Sequence, residues 1–377
     1  MKTLFVTNAC PHYRVGAFEE LARHIDVEFF FFADEKEWSR ESTNCPRARD
    51  FRWTKFRGWE IFPRFRIAPL LYLHLLFDPY DAVIKCTNGR VELPLTYLIA
   101  RLRRKKFILW QTMWQHPKTI LHKLDFPFLR HIWMQADVIV VYGSHVRDFL
   151  LSHNVPAERI LIARQAVDNS RFSQPVPEKI IEEFRAKAGL DESPLVVYVG
   201  RIVAEKGLDI LLQAEQYLDA FPHLLVLAGD GSLRAELEDR CSKLGLDRVR
   251  FIGYVHQDDL PALYANARAV VLPSVSTARW KEPWGLVVNE AMNQGCPVVV
   301  SDAVGAAVGG LVESGSTGFV VPEGNPHALA DAIAKILQDK NLAQDMGAAA
   351  RDRVREWTFE TWANGFVEAL SVSKGGR

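Results

Sequence analysis

Two carboxylates, Glu282 and Glu290, bracket the segment Glu282-Pro283-Trp284-Gly285-Leu286-Val287-Val288-Asn289-Glu290. The segment has the composition of a loop turning into a helix. Pro283 sets φ at a helix start and Gly285 permits close approach, so the amides of Gly285, Leu286 and Val287 are candidate donors to phosphate oxygens. Taken singly, Glu282 fits a helix-dipole partner and Glu290 an exposed helix position equally well. Upstream, the apolar run Leu195 to Val199 leads into Gly200-Arg201 and then Glu205-Lys206-Gly207, with a helix opening at Leu208. A glycine at a strand's carboxyl end, two cations and a helix start together make an anion site that suits a diphosphate. Singly, Arg201 and Lys206 are ordinary loop cations. The next run ends in Ala228-Gly229-Asp230-Gly231-Ser232, a turn expected to lie beside Gly200.

Alternating strands and helices must position these residues. Short apolar runs alternate with segments of helical period, the pattern of parallel strands joined by crossover helices. The first series is Thr3 to Thr7, Val27 to Phe32, Asp81 to Lys85, Phe107 to Trp110, Val138 to Tyr142 and Ile160 to Ile162. Helices are expected over Arg14 to His24, Leu93 to Arg103, Lys118 to Gln135 and Ser144 to Ser152, the last capped by Ser144. Pro175, Pro177 and Pro194 punctuate a polar linker around a helix at Glu178 to Ala188. A second series follows: Leu195 to Val199, Leu224 to Ala228, Val249 to Ile252, Ala269 to Leu272, Pro297 to Ser301 and Phe319 to Val321. The expected fold is α/β: two Rossmann-like doubly wound domains facing a central cleft, with ligands at the carboxyl ends of the strands. The expected divisions are an N-terminal domain over 1–175, a C-terminal domain over 176–355, and a helix within 356–377 packing back toward the N-terminal domain.

The chain's 377 residues suit two domains at about 100 to 200 residues each. Its 48% apolar and 24% charged residues exclude disordered and fibrous classes. The net charge of zero conceals an asymmetry. Residues 1–175 carry 26 Lys and Arg against 18 Asp and Glu, and the remainder carries 20 against 28. The basic half is expected to meet something anionic, such as a phospholipid surface or a phosphorylated acceptor, with solvated surface charge as the alternative. Its densest parts are Arg101, Arg103, Arg104, Lys105 and Lys106, and the spread from Arg47 to Arg66. Cys10, Cys45, Cys86, Cys241 and Cys296 form no Cys-x-x-Cys pair and read as reduced packing thiols. Met1 runs straight into a strand pattern without a secretory signal, and no apolar stretch approaches the ~20 residues that span a bilayer. The expected location is cytoplasmic, with peripheral contact on the inner face of an anionic membrane.

The ordered series Val199-Gly200-Arg201, Glu205-Lys206-Gly207, Ala228-Gly229-Asp230-Gly231, Phe251-Ile252-Gly253-Tyr254-Val255, Leu272-Pro273-Ser274, Glu282 to Glu290, Gly295-Cys296-Pro297-Val298 and Thr317-Gly318-Phe319 resembles glycosyltransferase family 4. The resemblance covers nearly the whole chain and is densest from Leu195 to Leu337. It implies a GT-B fold, a UDP- or GDP-sugar donor and retention of anomeric configuration. Carried onto matching positions, it implies that Gly200, Arg201 and Lys206 hold the diphosphate, Glu282 the sugar hydroxyls and Glu290 the ribose. Tyr254 and Val255 would lie near the base. It also implies no metal and no separate cofactor, in keeping with the absence of any Asp-x-Asp in the sequence.

The first half departs from the family pattern. Many members carry a glycine pair after the first strand, where this chain has Asn8-Ala9-Cys10-Pro11-His12-Tyr13-Arg14-Val15-Gly16. Donor contact from Gly16 is therefore set aside, and Tyr13 and Arg14 are read as acceptor-binding candidates. By its position after the strand ending at Trp110, His116 is the candidate to touch the sugar or handle a proton, with a backbone-paired loop histidine as the alternative and His12 as a weaker one. Trp114 can stack on a sugar or lipid-linked acceptor, Trp110 belongs to the core, and Asn88 is an acceptor candidate. The expected partners are a nucleotide-sugar donor and a saccharide or lipid-linked acceptor, without nucleic acid, as in bacterial-type surface polysaccharide, lipopolysaccharide or glycolipid synthesis. A nucleotide-sugar 2-epimerase and a non-catalytic nucleotide-sugar-binding homologue are the rival readings. A dinucleotide oxidoreductase is disfavoured because no Gly-x-Gly-x-x-Gly follows Val6 or Val199.

Overall fold

A computed structural model describes residues 1–32, 50–62, 65–117 and 119–373. Cys45, Arg47 and Lys118 lie outside the described residues. The chain forms two compact units, Met1–Asp168 with Thr358–Arg377, and Asn169–Trp357.

The first unit contains β1 (Thr3–Thr7), β2 (Val27–Phe31), β3 (Arg52–Lys55), an antiparallel hairpin of β4 (Trp59–Phe62) and β5 (Phe65–Ile67), β6 (Ala82–Cys86), β7 (Lys106–Gln111), β8 (Val138–Val141) and β9 (Ile160–Ile162). Seven of these form a parallel sheet in the order β3-β2-β1-β6-β7-β8-β9. The order reverses between β1 and β6, so the crevice of this unit opens where Thr7 and Cys86 end their strands. Its central strands are buried, which is why they read as unbroken apolar runs. The helix Val15–His24 and the final helix Phe359–Ser371 pack against each other, and Phe5, Phe18, Trp110, Trp362 and Phe366 form one aromatic cluster. Gly16 is required there: a Cβ would stand 2.3 Å from the Phe359 ring. Lys106, buried, donates to the carbonyls of Leu370 (2.9 Å) and Val372 and so closes the end of the final helix.

The second unit contains β10 (Leu195–Val199), β11 (Leu224–Ala228), β12 (Val249–Gly253), β13 (Ala267–Leu272), β14 (Val298–Ser301) and β15 (Gly318–Val321). They form a six-stranded parallel sheet ordered β12-β11-β10-β13-β14-β15, with the reversal between β10 and β13. The helix Glu178–Ala188 ends at Gly189, whose φ of 65° is the left-handed conformation of a helix stop.

Two expectations need correction. Ser144 does not cap its helix: Gly143 holds the cap position in extended backbone, and Ser144 is the first helical residue. Pro283 does not open a helix either, because Gly285 is the cap of Leu286–Asn293 and Pro283 lies in the loop before it. The β3 strand, the hairpin and the helix Pro69–Phe77 are additional to the expected elements. Arg52–Lys55 is an edge strand with charged ends, and Pro69–Phe77 is apolar on nearly every side, so neither shows a period.

Candidate functional site

The motifs of the second unit converge because their backbones interlock at the carboxyl ends of β10 to β14. Gly200 donates to the Ala228 carbonyl (3.0 Å), Gly229 to Gly253 (2.7 Å), Ile202 to Asp230 (2.9 Å) and Leu233 to Ile202 (3.1 Å). The glycine turn thus lies beside Gly200, as its position in the sequence requires. The fit leaves no room for side chains, since a Cβ on Gly229 would fall 1.9 Å from the Gly200 carbonyl oxygen and one on Gly231 2.2 Å from that of Ile202. Gly207 is pressed in the same way against the Pro273 carbonyl at 2.1 Å, while Val275 donates to Glu205 (3.0 Å) and Ser301 to Ser274. Backbone atoms cannot give way as a flexible side chain can. Gly229→Ala is therefore expected to destabilise the second unit by about 2 to 3 kcal/mol, read as a lowered midpoint in urea unfolding, and an unchanged midpoint would contradict this packing.

Lys206 and Glu282, separated in sequence, meet in a nearly buried ion pair in which Lys206 Nζ donates to Glu282 Oε2. Glu282 is held from its backbone: it bridges Val304, its carbonyl accepts from Gly305 (3.1 Å), and the Trp284 carbonyl accepts from Ala306 (2.8 Å). Buried Trp284 donates its indole N–H to Asn289 Oδ1 at 2.7 Å, which ties the loop to the helix it precedes. Gly285 caps that helix at φ 92°, a conformation that favours glycine, and a Cβ there would meet Leu272 at 2.7 Å. Among the described residues, the amides of Leu286 and Val287 have no intramolecular acceptor, and both residues are half-buried. A lysine, a carboxylate and open helix-terminal amides thus stand together, an arrangement that can hold a diphosphate and orient hydroxyls.

Glu290 lies on the same helix and accepts a hydrogen bond from the buried Tyr264 hydroxyl at 2.7 Å. Burial pushes its carboxyl up to about 7, with the Tyr264 bond and the Arg171 charge pulling the other way. Arg201 stands apart from this group, with an exposed side chain 3.4 Å from Glu205, while its carbonyl accepts from the Tyr198 hydroxyl (2.6 Å). Tyr254 is exposed and Val255 half-buried, directly after the Gly253 carbonyl that receives Gly229.

In the first unit the crevice between β1 and β6 is occupied by a polar network. Asn88 Nδ2 donates to Thr7 Oγ1 (3.1 Å) and Asn8 Oδ1 (2.8 Å), and Asn88 Oδ1 accepts from Lys85 Nζ (2.9 Å). Lys85 also donates to the carbonyls of Cys86 (2.7 Å) and Asn88 (2.6 Å). Its burial lowers its pKa to about 8, against the opposing influence of Cys86 and Glu92. Arg14 is buried rather than presented to a ligand: it donates to Gln165 Oε1 (2.7 Å) and the Tyr142 hydroxyl (2.6 Å) and lies over the Trp110 ring. Tyr13 beside it is exposed. Cys10, Cys86, Cys241 and Cys296 are buried thiols.

A cavity of 260 Å3 opens at the carboxyl ends of β6 and β7, lined at its polar side by Arg90, Gln111, His116 and His122 and at its apolar side by residues that include Phe128 and Trp133. His116 Nε2 donates to the His122 carbonyl (2.5 Å), an oxygen that can only accept. The His116 Nδ1 is then the ring atom left for a ligand. Arg90 can only donate, so the His122 Nε2 facing it at 3.3 Å is on the accepting side of that contact, and His122 Nδ1 lies 2.6 Å from the Thr119 hydroxyl. Trp114 packs edge-on against His145, and Trp110 is core.

Tyr264, Asn289 and Lys85 were not singled out in the sequence. Tyr264 and Lys85 sit inside apolar runs that read as core, and Asn289 gives no signal until Trp284 is seen beside it. Among the described residues, no group of three His, Cys, Asp or Glu side chains comes together to hold a metal ion.

Residues 180–353 match the family described as glycosyl transferases group 1. The match lies within the second unit. The chain has a fold of the GT-B type. Over 245 residues it is 34% identical to an alpha-D-kanosaminyltransferase of Streptomyces kanamyceticus, a match covering 63% of this chain and 61% of that protein. Over 257 residues it is 33% identical to a GDP-mannose-dependent alpha-(1-6)-phosphatidylinositol monomannoside mannosyltransferase of Mycobacterium tuberculosis, covering 66% and 65%. The chain thus spans less than two thirds of the length of these relatives. The crystal structure of HepE from Anabaena in complex with UDP superimposes with a TM-score of 0.78 over 98% of this chain and 100% of that one, at 21% identity, a likeness of fold.

Proposed function

We propose that the chain transfers a glycosyl group from a nucleoside-diphosphate sugar to a hydroxyl of a saccharide or lipid-linked acceptor, with retention of configuration and without a metal ion. The observation that carries this reading is the Lys206–Glu282 pair set beside the open amides of Leu286 and Val287. Lys206 and the amides would neutralise the charge that grows on the leaving diphosphate, and Glu282 would orient the sugar. Glu290 would accept from the ribose, Arg201 would close on the diphosphate from its exposed position, and Tyr254 and Val255 would border the base. The acceptor is assigned to the first unit, with His116 Nδ1 and Tyr13 as contacts and Asn88 as the anchor of its loops. Retention is assigned to front-face attack, in which the leaving phosphate takes the acceptor's proton. The proposed setting is surface-polysaccharide, lipopolysaccharide or glycolipid synthesis in the cytoplasm, at the inner face of an anionic membrane.

The test is donor consumption, with UDP- and GDP-sugars, measured with and without a lipid-linked acceptor for the wild type and Glu282→Ala. Consumption that needs acceptor and falls by about 100-fold or more in the variant is expected. Turnover of donor without acceptor would favour the 2-epimerase. Nucleotide binding with no turnover of any donor by the wild type would favour a non-catalytic homologue.

A further inference from the structure

The helix Pro69–Phe77 buries Leu71 and Leu75 and yet leaves Leu70, Leu73 and Phe77 exposed, the last at 76%. The spacing of the exposed three is that of one helical stripe. A helix apolar on nearly every side belongs in a core, and this one has solvent on one face. The neighbouring helix Glu92–Leu102 continues the pattern: Leu98 and Leu102 are exposed on it, Leu102 at 75%. Arg103 fixes the two helices side by side by donating to the Leu75 (2.9 Å) and Asp78 (2.6 Å) carbonyls at the end of the first.

The charge around this face has one predominant sign, although the basic run supplies less of it than its composition suggests. Arg101 pairs with Asp137, Arg103 serves carbonyls and Lys106 is buried. Arg104, Lys123 and Arg130 are exposed, the last two on the helix Ile120–Gln135, which packs beside Glu92–Leu102 through Tyr97 and His131. Asp78 is partnered by His74 at 2.7 Å, and exposed Asp125 is the opposing charge on that third helix. Phe128, from the same helix, is exposed and also lines the cavity beside His116.

We propose that this face docks on an anionic lipid bilayer, with Leu70, Leu73, Phe77, Leu98 and Leu102 entering the boundary between headgroups and acyl chains and Arg104, Lys123 and Arg130 meeting lipid phosphates. The surface deepens the membrane setting given under the proposed function. None of the described helices is long and apolar enough to cross a membrane, so the contact is one of lying on the surface.

The test is sedimentation of the full chain with vesicles of phosphatidylcholine alone or mixed with phosphatidylglycerol. Binding to the mixed vesicles that weakens with salt is expected, and much weaker binding to phosphatidylcholine. Phe77→Ser with Leu102→Ser should weaken binding at least about tenfold, and Lys123→Gln and Arg130→Gln about fivefold each. Unchanged melting temperatures, and unchanged stabilisation by UDP or GDP, establish that the variants are folded. Failure of the wild type to sediment with either vesicle overturns the proposal, as does equal binding by all variants. A concentration-dependent dimer that the apolar variants dissociate, without vesicle binding, also overturns it and assigns the face to a second copy. Donor turnover that survives any of these failures leaves the glycosyl-transfer reading standing.

Discussion

Replacing Lys206 by alanine is expected to lower glycosyl transfer by about 100- to 1000-fold and to cost about 3 to 5 kcal/mol of stability. Both effects come from one geometry. In the structure the Lys206 ammonium is the partner of Glu282, and both side chains are nearly buried. Removing one partner leaves a charge in a medium that solvates it poorly, which costs more than the pair itself contributes. In the reaction the same ammonium would face the diphosphate as negative charge accumulates on it, and a fixed cation stabilises that state without reorganising. The two losses can be separated. Lys206→Met combined with Glu282→Leu should recover most of the stability, because no lone charge remains, and none of the activity. Equilibrium unfolding and donor turnover on the four proteins of this cycle provide the check, and additive stability losses would show that the two side chains do not interact.

The second large effect concerns pH. Burial holds the Glu290 carboxyl at about 7, above its ordinary value of 4.5. Between those two values the native chain binds more protons than the unfolded one, so this residue's contribution to stability is highest at low pH and declines as pH rises from about 4.5 through 7. At pH 8 the penalty is on the order of 3 kcal/mol. Glu290→Gln keeps an acceptor for the Tyr264 hydroxyl and removes the charge. It should therefore be more stable than the wild type at pH 8 and no more stable near pH 4, as read from urea unfolding. A nucleotide ribose that donates to Glu290 reverses this balance by favouring the ionised form. UDP or GDP binding by the wild type should then strengthen by about tenfold between pH 6 and 8 with release of a proton, and the variant should bind more weakly without that trend. Calorimetry in buffers of different ionisation enthalpy measures both quantities. A wild-type affinity flat across this range would remove Glu290 from the ribose.

The regular elements were legible because they obey local rules. Thr3–Thr7, Ile160–Ile162, Leu195–Val199 and Leu224–Ala228 are strands over the residues their apolar runs mark, and Ser144–Ser152 and Glu178–Ala188 are helices over the residues their period marks. Parallel strands buried on both faces leave an uninterrupted apolar signature, and crossover helices leave one of helical period. The elements missed are those whose surroundings override their composition. Arg52–Lys55 joins the sheet at an edge, where charged residues are tolerated, and Pro69–Phe77 is apolar throughout and hides its own period.

The sequence by itself determined the kind of site: an ordered set of glycines, two cations and two carboxylates at strand ends implies an anion-binding crevice and resembles one enzyme family. It also determined why those glycines stand where they do, since turns that meet backbone to backbone admit nothing larger. Only the tertiary structure decided which charges work together. It joined Lys206 to Glu282, set Arg201 out beside Glu205, gave Glu290 a buried tyrosine partner, and sank Arg14 and Lys106 into the interior of the first unit. The physical reason is that backbone conformation depends on a few neighbouring residues. A charge's energy depends instead on burial and on partners brought in from distant parts of the chain.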